Sequence, residues 1–296
     1  MITHQVAHQG KVLAVFGLLM SAATWGVIWY PYRCLSAEGV TGLTASMLTY
    51  VLALLMGLPL YWRDFASVWR HKWVWLVLAL SAGVTNTGYV LAVIHGEVMR
   101  VALLFYLAPL WTILFSRLML RERLSITGYW VMGLSMTGAV VMLWHTDGRW
   151  PLPNNASEWL GLAAGMGFAF SNVWARKVEQ VSLGAKALAI WTGCTLLPIL
   201  GLLNSGVHPQ AMLHYNWTVW GELGAVALAM FAATLLIQNG LARVAANRAI
   251  VILLFELVVT ALSAWWLAGE MLVGKEWVGA AMIMTASVFS GRLEQS

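Results

Sequence analysis

Charged side chains are scarce in this chain. Asp, Glu, Lys and Arg make up 10% of its 296 residues, against roughly a quarter in soluble domains. A water-facing surface cannot be built from so few, and no stretch is long and polar enough to form a separate soluble domain. Cysteine is nearly absent: Cys34 and Cys194 are the only two, which excludes a disulfide framework or a thiolate metal site. Missing too are GxSxG, HExxH and any phosphate-cradling glycine loop, the patterns that would supply a nucleophile, a catalytic metal or a nucleotide site. His95, His145, His208 and His214 are scattered without metal-ligand spacing, so no metal and no cofactor are expected. A membrane-embedded enzyme or a non-transporting membrane scaffold or sensor is the alternative class, but the enzyme reading has no visible chemistry to stand on.

What the chain has instead is apolar length. Hydrophobic residues make up 60% of it, and the charges cluster between long apolar intervals at 12–32, 39–62, 73–96, 101–116, 124–146 and 159–175. Another lies within 187–221, and three more cover 223–242, 249–269 and 277–291. A bilayer crossing needs roughly 17 to 25 residues, and the short intervals borrow flanking residues whose charges snorkel outward. The expectation is an all-α membrane protein of ten transmembrane helices. A barrel is disfavoured because the runs are continuously apolar, whereas membrane strands alternate. The first span lacks a small-residue cleavage site and is read as an uncleaved helix rather than a signal peptide.

Ten spans put both termini on one side. If that side is the cytoplasm, thirteen of the 17 Lys and Arg residues fall there, leaving Arg33, Arg100, Arg149 and Lys275 outside. Short cytoplasmic loops are rich in Lys and Arg, so the expected location is an inner (plasma) membrane with both ends cytoplasmic. The basic net charge is then a topology signal, its partner the lipid bilayer rather than a nucleic acid. Two sequons, at Asn155 and Asn216, land in expected outer loops. Gly161 and Gly165, and the series Ala225, Ala229 and Ala233, read as close helix packing, in a monomer or a homodimer.

The chain also repeats itself. RVALLFYLAPLWTILFSRLMLRE, from Arg100 to Glu122, lies on RAIVILLFELVVTALSAWWLAGE, from Arg248 to Glu270, at a constant shift of 148 residues without a gap. Trp25-Gly26 with Arg33 pairs, less closely, with the segment holding Asn172, Trp174 and Lys177. The halves divide as 1–147 and 148–296. Five spans each is an odd number, so consecutive copies insert with opposite orientations, an inverted repeat common in transporters.

Trp25-Gly26, Tyr106-Leu-Ala-Pro109, Glu122, Gly138, Glu270 and Gly279 stand in an order that resembles the EamA type of the drug/metabolite transporter superfamily. The stretch from Tyr106 to Phe115 is most similar to the exporters of aromatic amino acids. The resemblance implies two inverted five-helix bundles around a central cavity that moves a small-molecule substrate, often outward. One departure stands out: Leu257 occupies the place of Pro109 in the second copy, with Glu256 just before it.

Glu256 is the one ionisable residue well inside an expected span. A carboxylate there costs about 2.5 to 3.5 kcal/mol on insertion scales. It is a candidate for binding a substrate ammonium or exchanging a proton, or else a protonated or Arg-paired structural group; on helical spacing it shares a face with Thr260 and Ser263. Asn86 and Tyr89 in the third span and Gln238 and Asn239 in the eighth could recognise a zwitterion or serve as interhelical glue. Trp25, Tyr106, Asn172 and Trp174 would add an aromatic wall, although most of the 18 Trp residues read as interface belt. Arg100 and Arg248 read as snorkelling helix-end cations, and Glu122 and Glu270 as fixing loops or capping the following helix.

Overall fold

The computed structural model describes residues 2–64, 71–121, 126–144, 152–178, 180–205, 215–244, 252–253 and 255–290. Every regular element among them is helical. In chain order they are α1 (Ile2–Val27), α2 (Trp29–Ala37), α3 (Gly42–Tyr61), α4 (Lys72–His95), α5 (Val98–Phe105), α6 (Ala108–Phe115), α7 (Ile126–Leu143), α8 (Ala156–Lys177), α9 (Leu183–Ser205), α10 (Trp217–Arg243), α11 (Phe255–Ala268) and α12 (Gly274–Ser290). A π turn, Ser116–Leu120, continues α6.

Seven candidate spans among the described residues are long and apolar enough to cross a bilayer: α1 with α2, α3, α4, α5 with α6 and the π turn, α7, α9 and α10. The other three expected spans are helices of a different kind. α11 is apolar but has only 14 residues. α12 has 17 and carries Lys275 and Glu276 in its first turn, while α8 includes Glu158, Asn172, Arg176 and Lys177.

The chain divides into two compact units, each assembled from separated segments. One comprises Met1–Ile28, Leu124–Leu152 and Ala229–Ser296; the other comprises Trp29–Arg123 and Pro153–Leu228. Between apolar helices surrounded by lipid tails the hydrophobic effect gives little preference, so association depends on close van der Waals fit at small residues.

In the first unit α7 lies against α12 through Gly138 and Gly279. A Cβ on Gly138 would sit 2.9 Å from Gly279 O, and one on Gly279 would sit 2.6 Å from Gly138 O. Each glycine is thus the other's floor. α1 packs on α10, where Ser21 Oγ donates to Ala233 O at 3.1 Å, and on α11, where Ser263 Oγ donates to Gly26 O at 3.1 Å.

In the second unit α4 is the hub, flanked by α3, α8 and α9. Gly83 and Gly193 let α4 and α9 approach backbone to backbone, since a Cβ on Gly193 would overlap the Ala79 carbonyl. Gly57 of α3 receives the buried indole of Trp191. Arg33 ties α2 to the end of α4: its Nε donates to Val93 O at 2.8 Å, Nη2 donates to Gly96 O, and the guanidinium lies 5.0 Å from the Trp29 ring centre. A cation on the last carbonyls of a helix complements its dipole.

Candidate functional site

Pro109 stands in the first turn of α6 and has no N–H to give the carbonyl four residues back, that of Phe105. The helix breaks there. α5 ends at Phe105, Leu107 N–H donates to Leu104 O at 3.2 Å in a tighter turn, and α6 begins at Ala108. The released Phe105 carbonyl faces α8, where a Cβ on Gly165 would overlap it. Only glycine lets α8 come that close, and Gly161 one turn earlier meets Val101 in the same way, at 3.1 Å. The GxxxG is therefore packing within the chain.

Around this break the second unit gathers aromatic rings. Tyr89, buried on α4, meets Phe105 edge-on with ring centres 5.4 Å apart; Phe105 in turn contacts Tyr106 at 6.0 Å and Phe168 at 5.4 Å. Two residues singled out by sequence, Tyr89 and Tyr106, are thus joined through Phe105. Neither Phe105 nor Phe168 was legible as a site residue, because an apolar side chain in an apolar span carries no signal of its own. On α4, one turn before Tyr89, Asn86 Nδ2 donates to Ser46 Oγ of α3 at 2.7 Å, which fixes the direction of its amide.

Trp174 is not part of that group. Its Nε1 donates to Val74 O at 3.3 Å, its ring stacks on Phe170 at 6.4 Å, and Lys177 Nζ lies 5.4 Å from its centre. Together with Val74 it covers the buried Val178, Val181 and Ala185, which is the work of a packing residue. Asn172 is exposed.

In the first unit Glu256 lies in the first turn of α11 and is half-buried. α1 crosses here: a Cβ on Gly26 would sit 2.8 Å from both Glu256 O and Val259 Cβ. Trp25, next to Gly26, is half-buried. Thr260 and Ser263, expected to extend a polar stripe from Glu256, are buried and spend their hydroxyls on carbonyls, Thr260 on Glu256 O at 2.8 Å and Ser263 on Gly26 O and Thr260 O. Asn239 is exposed; the side chain of Gln238 lies outside the described residues, as do Arg248 and Glu122.

Several charges have partners that spacing along the chain does not show. Arg100 does not simply snorkel: its Nε lies 3.2 Å from Glu158 Oε1, and Glu158 is buried. Glu158 also accepts from Asn154 N–H at 2.8 Å and caps α8 together with Asn155, whose Oδ1 accepts Glu158 N–H at 2.9 Å. At the start of α12, Glu276 accepts Val273 N–H at 3.0 Å. Asn216 caps α10 by accepting Val219 N–H at 2.9 Å, so both sequon asparagines serve as helix caps. Beside that cap, burial pushes the Tyr215 phenol above its usual range, and a hydrogen bond with Thr44 opposes the shift.

The shift of 148 residues that aligns the two copies puts Arg121 opposite Gly269. Both are left-handed, with φ 57° and 67°. Among the described residues the only other positive φ is that of Gly39, so the two copies end these matching helices with the same left-handed terminator.

Long apolar helices locked by glycine contacts, in a chain whose two halves share a terminator, define a multi-pass helical membrane protein. The model of the EamA-like transporter family matches twice, at residues 12–144 and 155–292. The chain belongs to that family. It is also similar in fold to a protein of known crystal structure, with 17% identity and a TM-score of 0.59 over 96% of this chain and 99% of that one. No curated protein sequence matches.

Proposed function

We propose that the chain is a secondary transporter that exports a small amphipathic metabolite such as an amino acid, by alternating access between two inverted five-helix repeats, 1–147 and 148–296, in an inner membrane with both termini in the cytoplasm. The observation that carries this reading is the double family match. Its members are transporters, and the shared left-handed terminators at Arg121 and Gly269 support a duplicated plan. The thirteen-to-four division of cations supports the orientation.

Tyr89 and Tyr106, joined by Phe105 beside the broken span, supply an aromatic surface suited to an apolar side group. Asn86 adds an amide; in the other unit, Glu256 is by itself the candidate for holding an ammonium or exchanging a proton. The direct test is flux in proteoliposomes. Counterflow of a labelled amino acid is expected from wild type, and Glu256→Gln is expected to lower the rate tenfold or more while the protein still inserts and folds. Wild-type flux in that variant would remove Glu256 from the mechanism, and flux indifferent to an imposed pH gradient would remove proton coupling.

A further inference from the structure

The two ends of the second unit expose charge of opposite sign. Where α4 finishes and α8 begins, the exposed carboxylates are Glu38 and Glu97, while the cations are tied down, Arg33 to the carbonyls of Val93 and Gly96 and Arg100 to Glu158. At the other end the exposed groups include Arg63 after α3, Lys72 at the start of α4, Arg117 and Arg121 in and after the π turn, and Lys177 at the end of α8. Asp64 is the one acidic group described there. It is half-buried and lies so close to the start of α9 that a Cβ on Gly184 would overlap its carboxylate.

Contacts beneath the surface bring these five cations to one rim. Trp174 Nε1 donates to Val74 O at 3.3 Å, which joins the end of α8 to the start of α4 and so brings Lys177 towards Lys72. Phe170 stacks on Trp174 and meets Phe115 edge-on at 5.4 Å. The π turn that follows Phe115 packs on α8, which adds Arg117 and Arg121. The contact of Asp64 with Gly184 seats the end of α3, with Arg63, on α9, and Lys186 Nζ ties α9 to α8 by donating to Ala175 O at 2.9 Å.

Trp62 and Trp73, each next to one of these cations in the chain, are 63% and 71% exposed. Exposed indoles at the ends of apolar spans mark the depth of lipid headgroups, so the rim lies among headgroup phosphates rather than in bulk water. The Arg63 guanidinium is 5.6 Å from the Trp62 ring centre and Lys177 Nζ is 5.4 Å from that of Trp174. A cation held over a ring face keeps its N–H donors for a phosphate oxygen.

We propose that this rim is a binding surface for the headgroups of anionic phospholipids in the leaflet it faces. The inference goes beyond the transporter reading and holds whatever solute the chain moves.

The test uses the purified full chain in a neutral detergent, with dioleoylphosphatidylglycerol and dioleoylphosphatidylcholine as probes and retained lipid read by native mass spectrometry. Wild type is expected to retain phosphatidylglycerol at about a tenfold lower concentration than phosphatidylcholine. Arg63→Gln with Lys72→Gln and Lys177→Gln should bring the two lipids to within about twofold of each other. Arg243→Gln, which removes an exposed cation of the other unit, should leave the preference as it is. The replaced side chains are exposed, so the unfolding midpoint without lipid should not move; if the triple variant does not fold, Lys72→Gln alone decides, and should lower the preference about twofold. Equal retention of both lipids by wild type would overturn the surface, as would an undiminished preference in the deciding variant. Glycerol phosphate that displaces phosphatidylglycerol at equal concentration would also overturn it, since the rim would then be a site for a soluble anion.

Discussion

In the two compact units a comparable contact is made with different chemistry. In one, Gly165 of α8 lies against the carbonyl of Phe105 in the fourth span; in the other, Gly26 of α1 lies against the carbonyl of Glu256 in the ninth. Each contact joins the leading helix of one sequence half to the fourth helix of the other half. The halves are therefore interleaved, and neither unit corresponds to one half of the sequence. What differs is the partner. The fourth span is broken by Pro109, which frees a carbonyl; at the matching place in the ninth stands Leu257, in the first turn of α11 with Glu256 beside it. A common scaffold thus carries a hinge-like break in one copy and a carboxyl group in the other.

The strongest way to break the comparison is to fill the two glycine contacts. Overpacking a tight interface costs typically 1 to 3 kcal/mol, occasionally more. Gly165→Leu meets Phe105 Cα, C and O, backbone that cannot rotate away, whereas Gly26→Leu meets one carbonyl oxygen and the side chain of Val259. Thermal unfolding in detergent is expected to show the larger loss for Gly165→Leu, with little folded protein recovered, and a smaller loss for Gly26→Leu. Equal and slight effects in both would mean that neither contact holds its unit together.

Next comes Pro109→Ala. Alanine restores an N–H to the fourth span and favours a continuous helix, so stability should hold or rise by up to about 1 kcal/mol. Flux in proteoliposomes should fall about tenfold if the break moves during transport. A variant as active as wild type would reduce Pro109 to a tolerated irregularity. Removal of Arg100 has a subtler outcome, since it leaves Glu158 still capping α8. Arg100→Met is expected to destabilise by about 3 kcal/mol, because a buried carboxylate loses its ion pair, and Arg100→Met with Glu158→Gln should recover part of it. No recovery in the double variant would show that the pair is not coupled.

Much of the helical plan was readable from apolar intervals, because few sequences other than membrane spans keep charges so far apart. Intervals bounded by charge also explain what was missed. The apolar interval from Leu223 is bounded by Glu222, whereas the helix begins earlier, at Trp217 behind the Asn216 cap. Asn155 was visible as half of an N-x-x-E cap, yet the sequon pattern on the same residue drew attention first. The aromatic residues divided for a related reason: Tyr89 and Tyr106 came from motifs and meet through Phe105, whereas Trp174 shares their composition but is anchored to Val74 O. Contact between spans is a tertiary fact that spacing along one span does not contain. Of the four cations assigned outside, Arg33, Arg100 and Lys275 each have an acceptor, Lys275 at Trp144 O. Arg63, Lys72, Arg117, Arg121, Arg176 and Lys177, assigned inside, are exposed. The contrast is one of degree, since Lys186, assigned inside, also donates to a carbonyl, that of Ala175 at 2.9 Å.

The finest comparison lies at the matched terminators. A left-handed conformation costs an L-residue roughly 1 to 2 kcal/mol relative to its preferred region, and glycine nearly nothing. Arg121 bears that cost in the first copy and Gly269 avoids it in the second, at the same position of a shared plan. Arg121→Gly should therefore stabilise the protein, by up to about 1 kcal/mol after allowing for the greater freedom of glycine in the unfolded chain, while Gly269→Ala should destabilise it by about 1 kcal/mol. The signs are opposite although the two positions match, and at Gly269 the strain is of the backbone alone, since a Cβ there meets nothing within 4 Å. Unfolding midpoints of the two variants against wild type, at one detergent concentration, decide it. Arg121→Gly that destabilises would mean the exposed guanidinium contributes more than its backbone costs, as an arginine at a helix C-terminus can through the dipole.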